Sequence, residues 1–320
     1  MRPGYAPRML LLALACTKDP ALDSGTSTDS YVPPTEFTLD GECELADDFG
    51  GFTVLASEDS TDVDGKVADG VVPISVLETT VVDGDCKLLK RNNPYCDPGC
   101  DAGETCTFEA ECIPYPASQD LGTVTLRGLY DAVEMEPVFP GNTYFNTSLP
   151  HPAWDPGDVF VLEMPDGVYG PAELHGVGVE PLSGINEPWE VEAGVDLTIT
   201  WDAPTTDEVH SQVDFFLNID LHGLSPSVMT CTFDDDGEAT VSGAVVEALV
   251  ETGVTGFPSA HLDRRTVDKA DAGEGCMDFR VSSKRTVEVD VVGFTPCVTD
   301  AECPEGFECD EPFQICVPVE

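Results

Sequence analysis

The chain has 320 residues, 41% of them hydrophobic, and carries 14 Lys and Arg against 61 Asp and Glu, for a formal net charge of −47. The apolar content supports packed cores and excludes a wholly disordered chain. The charge excludes a nucleic-acid footprint, which needs clustered basic residues, and suits cations, basic partners or plain solvation of an exposed surface.

At the N-terminus, Arg2 and Arg8 precede a short apolar run over 9–15, and the small residues Ala13 and Ala15 stand just ahead of Cys16. This pattern predicts a secretory signal peptide over 1–15. The run is too short to cross a bilayer, which takes ~20 apolar residues. The ending Leu12-Ala13-Leu14-Ala15-Cys16 resembles the lipobox of Gram-negative bacterial lipoproteins. That resemblance implies that Cys16 becomes the first mature residue and carries acyl chains. Thr17 in place of Asp then implies the outer membrane, with the ectodomain on its surface or in the periplasm. Ordinary cleavage nearby, giving a secreted protein, is the alternative. Residues 16–40, rich in Ser, Thr, Asp and Pro, bury too little to offset chain entropy and read as a disordered tether.

Thirteen cysteines are an odd number for an exported chain. Acylating Cys16 leaves twelve, enough for six disulfides in an oxidising compartment. Cys96, Cys100, Cys106 and Cys112 form one cluster, and Cys297, Cys303, Cys309 and Cys316 form another. Both contain C-x-x-G-x-x-C followed by a further cysteine, an internal repeat of a module too small to fold without staples. Four cysteines allow three pairings, which sequence does not separate. The expectation is first with third and second with fourth, leaving Cys43 with Cys86 and Cys231 with Cys276. Structural zinc is the rival reading, but neither cluster has paired C-x-x-C knuckles.

Between the clusters, short runs rich in Val, Thr, Leu and Ile predict strands over 51–57, 72–82, 122–129, 158–164, 195–201, 212–221, 227–233 and 286–294. In 195–201 the alternation puts Val195, Leu197, Ile199 and Trp201 on one buried face. Asp83-Gly84, Asp166-Gly167 and Asp236-Gly237 suit tight turns. One helix is predicted over 243–252, capped by Ser242 and closed by Gly253. The fold class expected is mainly β: one or two β-sandwich modules with small disulfide-rich inserts and one short helix. The stretch 191–201 resembles the middle of an immunoglobulin- or fibronectin-like repeat. The boundaries read as a first β region over 41–93, a cysteine module over 94–116, a β-sandwich region over 117–294 and a C-terminal cysteine module over 295–320.

No hydrolase signature is present: the five histidines lack H-E-x-x-H spacing, and there is no G-x-S-x-G or Walker A. No catalytic residues are assigned and no cofactor is required. Two acidic runs are candidates for Ca²⁺. One holds Asp62, Asp64 and Asp69, though aligning it on Gly65 as an EF-hand loop puts Val71 where a bidentate Glu is needed. The other holds Asp234, Asp235 and Asp236. Trp154, Trp189, Trp201, Tyr144 and Tyr169 fit either a sugar-stacking face or cores. The expectation is a non-enzymatic, lipid-anchored surface protein acting as a structural or interaction module. Its partners would be the membrane and a protein or carbohydrate, with a carbohydrate- or Ca²⁺-binding protein as the alternative and a secreted hydrolase behind that.

Overall fold

In the computed structural model, the described residues are 31–206, 209–219 and 227–319. The signal peptide, Cys16, His222 and most of the tether lie outside them.

A nine-stranded sheet organises the chain. In spatial order its strands are Leu77–Asp83, Cys86–Arg91, Ser227–Asp234, Gln212–Asn218, Ser259–Ala272, Gly275–Val287, Asp48–Ala56, Thr61–Val67 and Tyr144–Asn146. Neighbours are antiparallel except Asp48–Ala56, which runs parallel to Gly275–Val287. The stretches 41–93 and 117–294, read apart in the sequence, therefore share one sheet.

Side chains alternate between sheet faces, and one face carries two cores side by side. In the first core, Phe215, Leu217, Met229 and Leu262 face a layer built from the strand pairs Trp189–Val191 with Val289–Val291 and Leu197–Thr200 with Glu238–Val241, plus the helix Gly243–Glu251. In the second, Phe52, Val54, Phe279 and Val281 face a four-stranded sheet of Ala172–Val177, Val159–Met164, Val124–Arg127 and Val133–Met135. The protein is thus a mainly β, disulfide-bonded sandwich fold.

The long strand Ser259–Ala272 serves both cores. Ala260 and Leu262 enter the first and Ala272 the second, with Arg264, Thr266 and Asp268 buried on the same face between them. Arg264 is 1% exposed and still satisfied. Its Nε and Nη2 donate to Asp235 at 2.7 and 3.0 Å, Nη2 also to the Asp202 carbonyl at 2.6 Å, and Nη1 to the carbonyls of Glu180 and Pro181 at 3.4 Å. A charge so deeply buried is tolerable only when paired and hydrogen-bonded in this way.

Several expectations need correction. Val195 is 48% exposed, because the strand starts only at Leu197. Leu197, Ile199 and Trp201 are buried. The acidic run around Asp62 and Asp64 is no loop but the strand Thr61–Val67. Gly65 is needed there because an added Cβ would lie 2.1 Å from the Phe52 ring. Ser242 does not cap the helix through its side chain; its hydroxyl donates to Asp83, and Asp196 instead accepts the Gly243 N–H at 2.7 Å. Gly253, at φ +108°, follows the helix end as expected.

The cysteine repeat is a repeat of structure too. Hairpins Glu104–Cys106 with Cys112–Pro114 and Phe307–Asp310 with Ile315–Pro318 are stapled alike: Cys96–Cys106 and Cys100–Cys112, Cys297–Cys309 and Cys303–Cys316. This is the first-to-third, second-to-fourth arrangement. Gly103 and Gly306 hold φ of +90° and +89°, and their carbonyls accept from Tyr115 and Val319. Ala110 and Gln314, each two residues before the last cysteine, hold φ of +61° and +53°.

The other two disulfides differ from expectation. Cys86 bonds Cys231, its direct cross-strand neighbour, with Cα atoms 4.1 Å apart. Cys43 bonds Cys276 across a Cα separation of 6.0 Å. The sheet order sets both pairs: it lays 86–91 beside 227–234, and Cys276 opens a strand that the segment bearing Cys43 crosses.

Candidate functional site

The face of the sheet turned away from both cores is polar, and its centre is recessed. Strand alternation brings Asp214 and Phe216, His261, Asp263 and Arg265, and Arg280, Ser282 and Lys284 onto it from three adjacent strands. Asp214 accepts from Arg265 Nε and Arg280 Nη1, both at 2.7 Å, and from the Thr232 hydroxyl at 2.9 Å. Burial alone would raise the Asp214 carboxyl, but the two guanidinium groups outweigh it and hold it below the usual carboxylate range.

Asp263 lies directly across from Asp214. Burial pushes its carboxyl up to about 6, against the pull of Arg280 and with the push of Asp214. Arg280 Nη1 comes only to 3.8 Å from it. Asp263 Oδ1 and the neighbouring Ser282 hydroxyl are both buried without a hydrogen-bond partner. His261 stacks on Phe216 with ring centroids 4.6 Å apart. Burial and the nearby Lys284 lower it to about 4, so the ring is neutral at physiological pH.

A strap closes one side of this face. Residues 37–40, read from the sequence as the end of the tether, are docked: Phe37 stacks on His175 at 5.2 Å, and the Asp40 N–H donates to Asp268 at 2.9 Å. Further on, Glu42 accepts from Arg265 and Arg280 at 3.2 and 3.3 Å, and its carbonyl accepts from Lys269. The Cys43 N–H donates to Asp278 at 2.8 Å, next to the Cys43–Cys276 bond. Burial raises Asp278 to about 6, opposed by the Cys43 N–H and aided by Asp48.

The residues singled out from the sequence fall elsewhere. Asp62 and Asp64 stand on the polar face, where burial and Asp62 together raise the Asp64 carboxyl. Asp69 accepts the Ala117 N–H at 2.7 Å and is not drawn to them. Asp235 is committed to Arg264, to Trp201 Nε1 at 2.8 Å and to the Ser211 hydroxyl at 2.5 Å. Asp234 and Asp236 are exposed. Neither acidic run gathers three ligand atoms within 4.8 Å among the described residues. In each cysteine module three sulfurs do come that close, but every one is spent in a disulfide. Trp154, Trp189, Trp201 and Tyr144 are buried in the cores, and the Tyr169 hydroxyl donates to the Ala68 carbonyl. Sequence reasoning missed Asp214, Asp263, Arg265 and Arg280, because their meeting depends on strand register.

No family model matches the chain, and no curated protein matches it. Among solved structures, the FN1-FN3 domains of chicken CNTN1 align with 7% identity over 72% of this chain and 78% of that chain, with a TM-score of 0.18. That score is too low for the likeness to carry weight.

Proposed function

We propose that the chain is an exported protein, anchored in the cell envelope by acyl chains on Cys16, whose disulfide-stapled β ectodomain acts as a structural or interaction module. The cysteine pairing carries this reading. Twelve cysteines, from Cys43 to Cys316, use one another up in six disulfides, and Cys16 is left over by count. Full pairing belongs to an oxidising compartment. A lone cysteine directly after an apolar, small-residue run is what an acylation signal supplies. Durable attachment takes more than one chain.

The test is expression in a Gram-negative host, followed by fractionation and intact mass, for the wild type and Cys16→Ala. The expected result is a membrane-bound product starting at Cys16 with acyl mass added, both lost in the variant. A soluble, unacylated wild type would overturn the anchor.

A further inference from the structure

The strand Ser259–Ala272 is only half partnered on one side. Its pairing with Gln212–Asn218 stops at Gln212 opposite Arg265, so residues 266–272 continue with Gly275–Val287 on one side and no strand on the other. The strap beside this edge does not complete the sheet. Among the described residues no backbone-to-backbone hydrogen bond joins residues 37–43 to 259–272. The strap is held instead through the Asp268 carboxylate and the Lys269 ammonium.

Two hollows follow one another along this open edge. The first, about 430 Å³, is bounded by Phe37, Leu39, Val177, Gln212 and Val267. The second, about 540 Å³, is bounded by Asp40, Glu44, Asp47, Lys269, Asp271 and Glu274. The groove is thus apolar at the Arg265 end and acidic at the Ala272 end. An open strand edge offers main-chain donors and acceptors to an incoming strand.

We propose that this groove binds an extended peptide by strand addition, as a continuation of the line of Gln212–Asn218. Added antiparallel to Ser259–Ala272, the peptide places its N-terminal residues at the acidic hollow and its C-terminal residues at the apolar one. The partner is therefore a strand-forming segment, basic at its N-terminal end and apolar at its C-terminal end. This rests on the reading of the ectodomain as an interaction module and gives that module a partner chemistry.

The probe is a fluorescein-labelled peptide, Lys-Thr-Lys-Thr-Val-Thr-Ile-Thr, titrated with the full chain and read by anisotropy. The same peptide with alternate backbone nitrogens methylated keeps its charges and side chains but loses strand donors. Asp271 and Glu274 are exposed, so Asp271→Lys with Glu274→Lys alters the acidic hollow at the surface. Glu305→Lys with Glu308→Lys makes the same charge change on the exposed C-terminal module. The expected result is saturable binding, weakened about tenfold or more by methylation and by the first variant and unchanged in the second. No binding to about 1 mM, equal binding of the methylated peptide, or equal weakening in both variants would overturn the proposal, the last two by showing only attraction to an acidic surface. Acylation of Cys16 is read in a separate experiment, so the groove and the anchor stand or fall apart.

Discussion

Asp263→Asn should stabilise the protein at neutral pH and do almost nothing in acid. The Asp263 carboxyl is held at about 6 instead of its ordinary 3.8, with burial as the main cause. Between those two values the folded protein holds a proton that the unfolded chain has released, so stability falls as pH rises through the window. Above about 6 the ionised group carries its full penalty, of order 3 kcal/mol for a difference of about 2 in pKa. Asparagine imitates the protonated form. Its amide N–H can also donate to the Ser282 hydroxyl, which like Asp263 Oδ1 is buried with no partner. Against this stands the contact with Arg280 at 3.8 Å, which the substitution weakens. A net gain of about 1–2 kcal/mol at pH 7.5 follows from these opposing effects. Urea midpoints at pH 4 and pH 7.5 for both proteins read it directly, because the general repulsion within so acidic a chain cancels in the difference. A gain of equal size at both pH values, or a loss at pH 7.5, would refute the reasoning.

Other substitutions probe the seams and staples. Asp235→Ala leaves Arg264 charged and buried between the two cores, and should cost about 3–5 kcal/mol in a denaturant titration. Gly65→Ala sets a methyl group 2.1 Å from the Phe52 ring and should cost about 1–3 kcal/mol by the same assay. Tyr144→Phe removes the hydroxyl that accepts the Leu121 N–H at 2.8 Å and should lower stability by about 1–2 kcal/mol. Cys86→Ala with Cys231→Ala opens the cross-strand link between distant segments, and a loss of about 2–5 kcal/mol in thermal unfolding is expected.

What could be read from the sequence was local. The alternation in Leu197-Thr-Ile-Thr-Trp201, the glycine after the helix and the matched cysteine spacings each report on neighbours a few residues away, and the structure repeats them. The strand Ser259–Ala272 gave no such signal. Its inner face carries Arg264, Thr266 and Asp268 where a pattern search expects apolar residues. Those polar groups are satisfied by Asp235, by the edge of the strand Ala172–Val177 and by the strap. The Thr61–Val67 strand hid for a related reason. Asp62 and Asp64 look like loop residues, and only Val63 and Val67 show the buried face. The Cys43–Cys276 pair and the Asp214–Asp263 face depend on which strands become neighbours, so spacing along the chain could not reveal them.

Peptide mapping without reduction, on protein isolated from the cell envelope, tests the account most directly. It should return an acylated peptide beginning at Cys16 and six cross-linked pairs, among them Cys43 with Cys276 and Cys86 with Cys231. An unmodified Cys16 together with free thiols, or links joining Cys43 to Cys86 and Cys231 to Cys276, would contradict it.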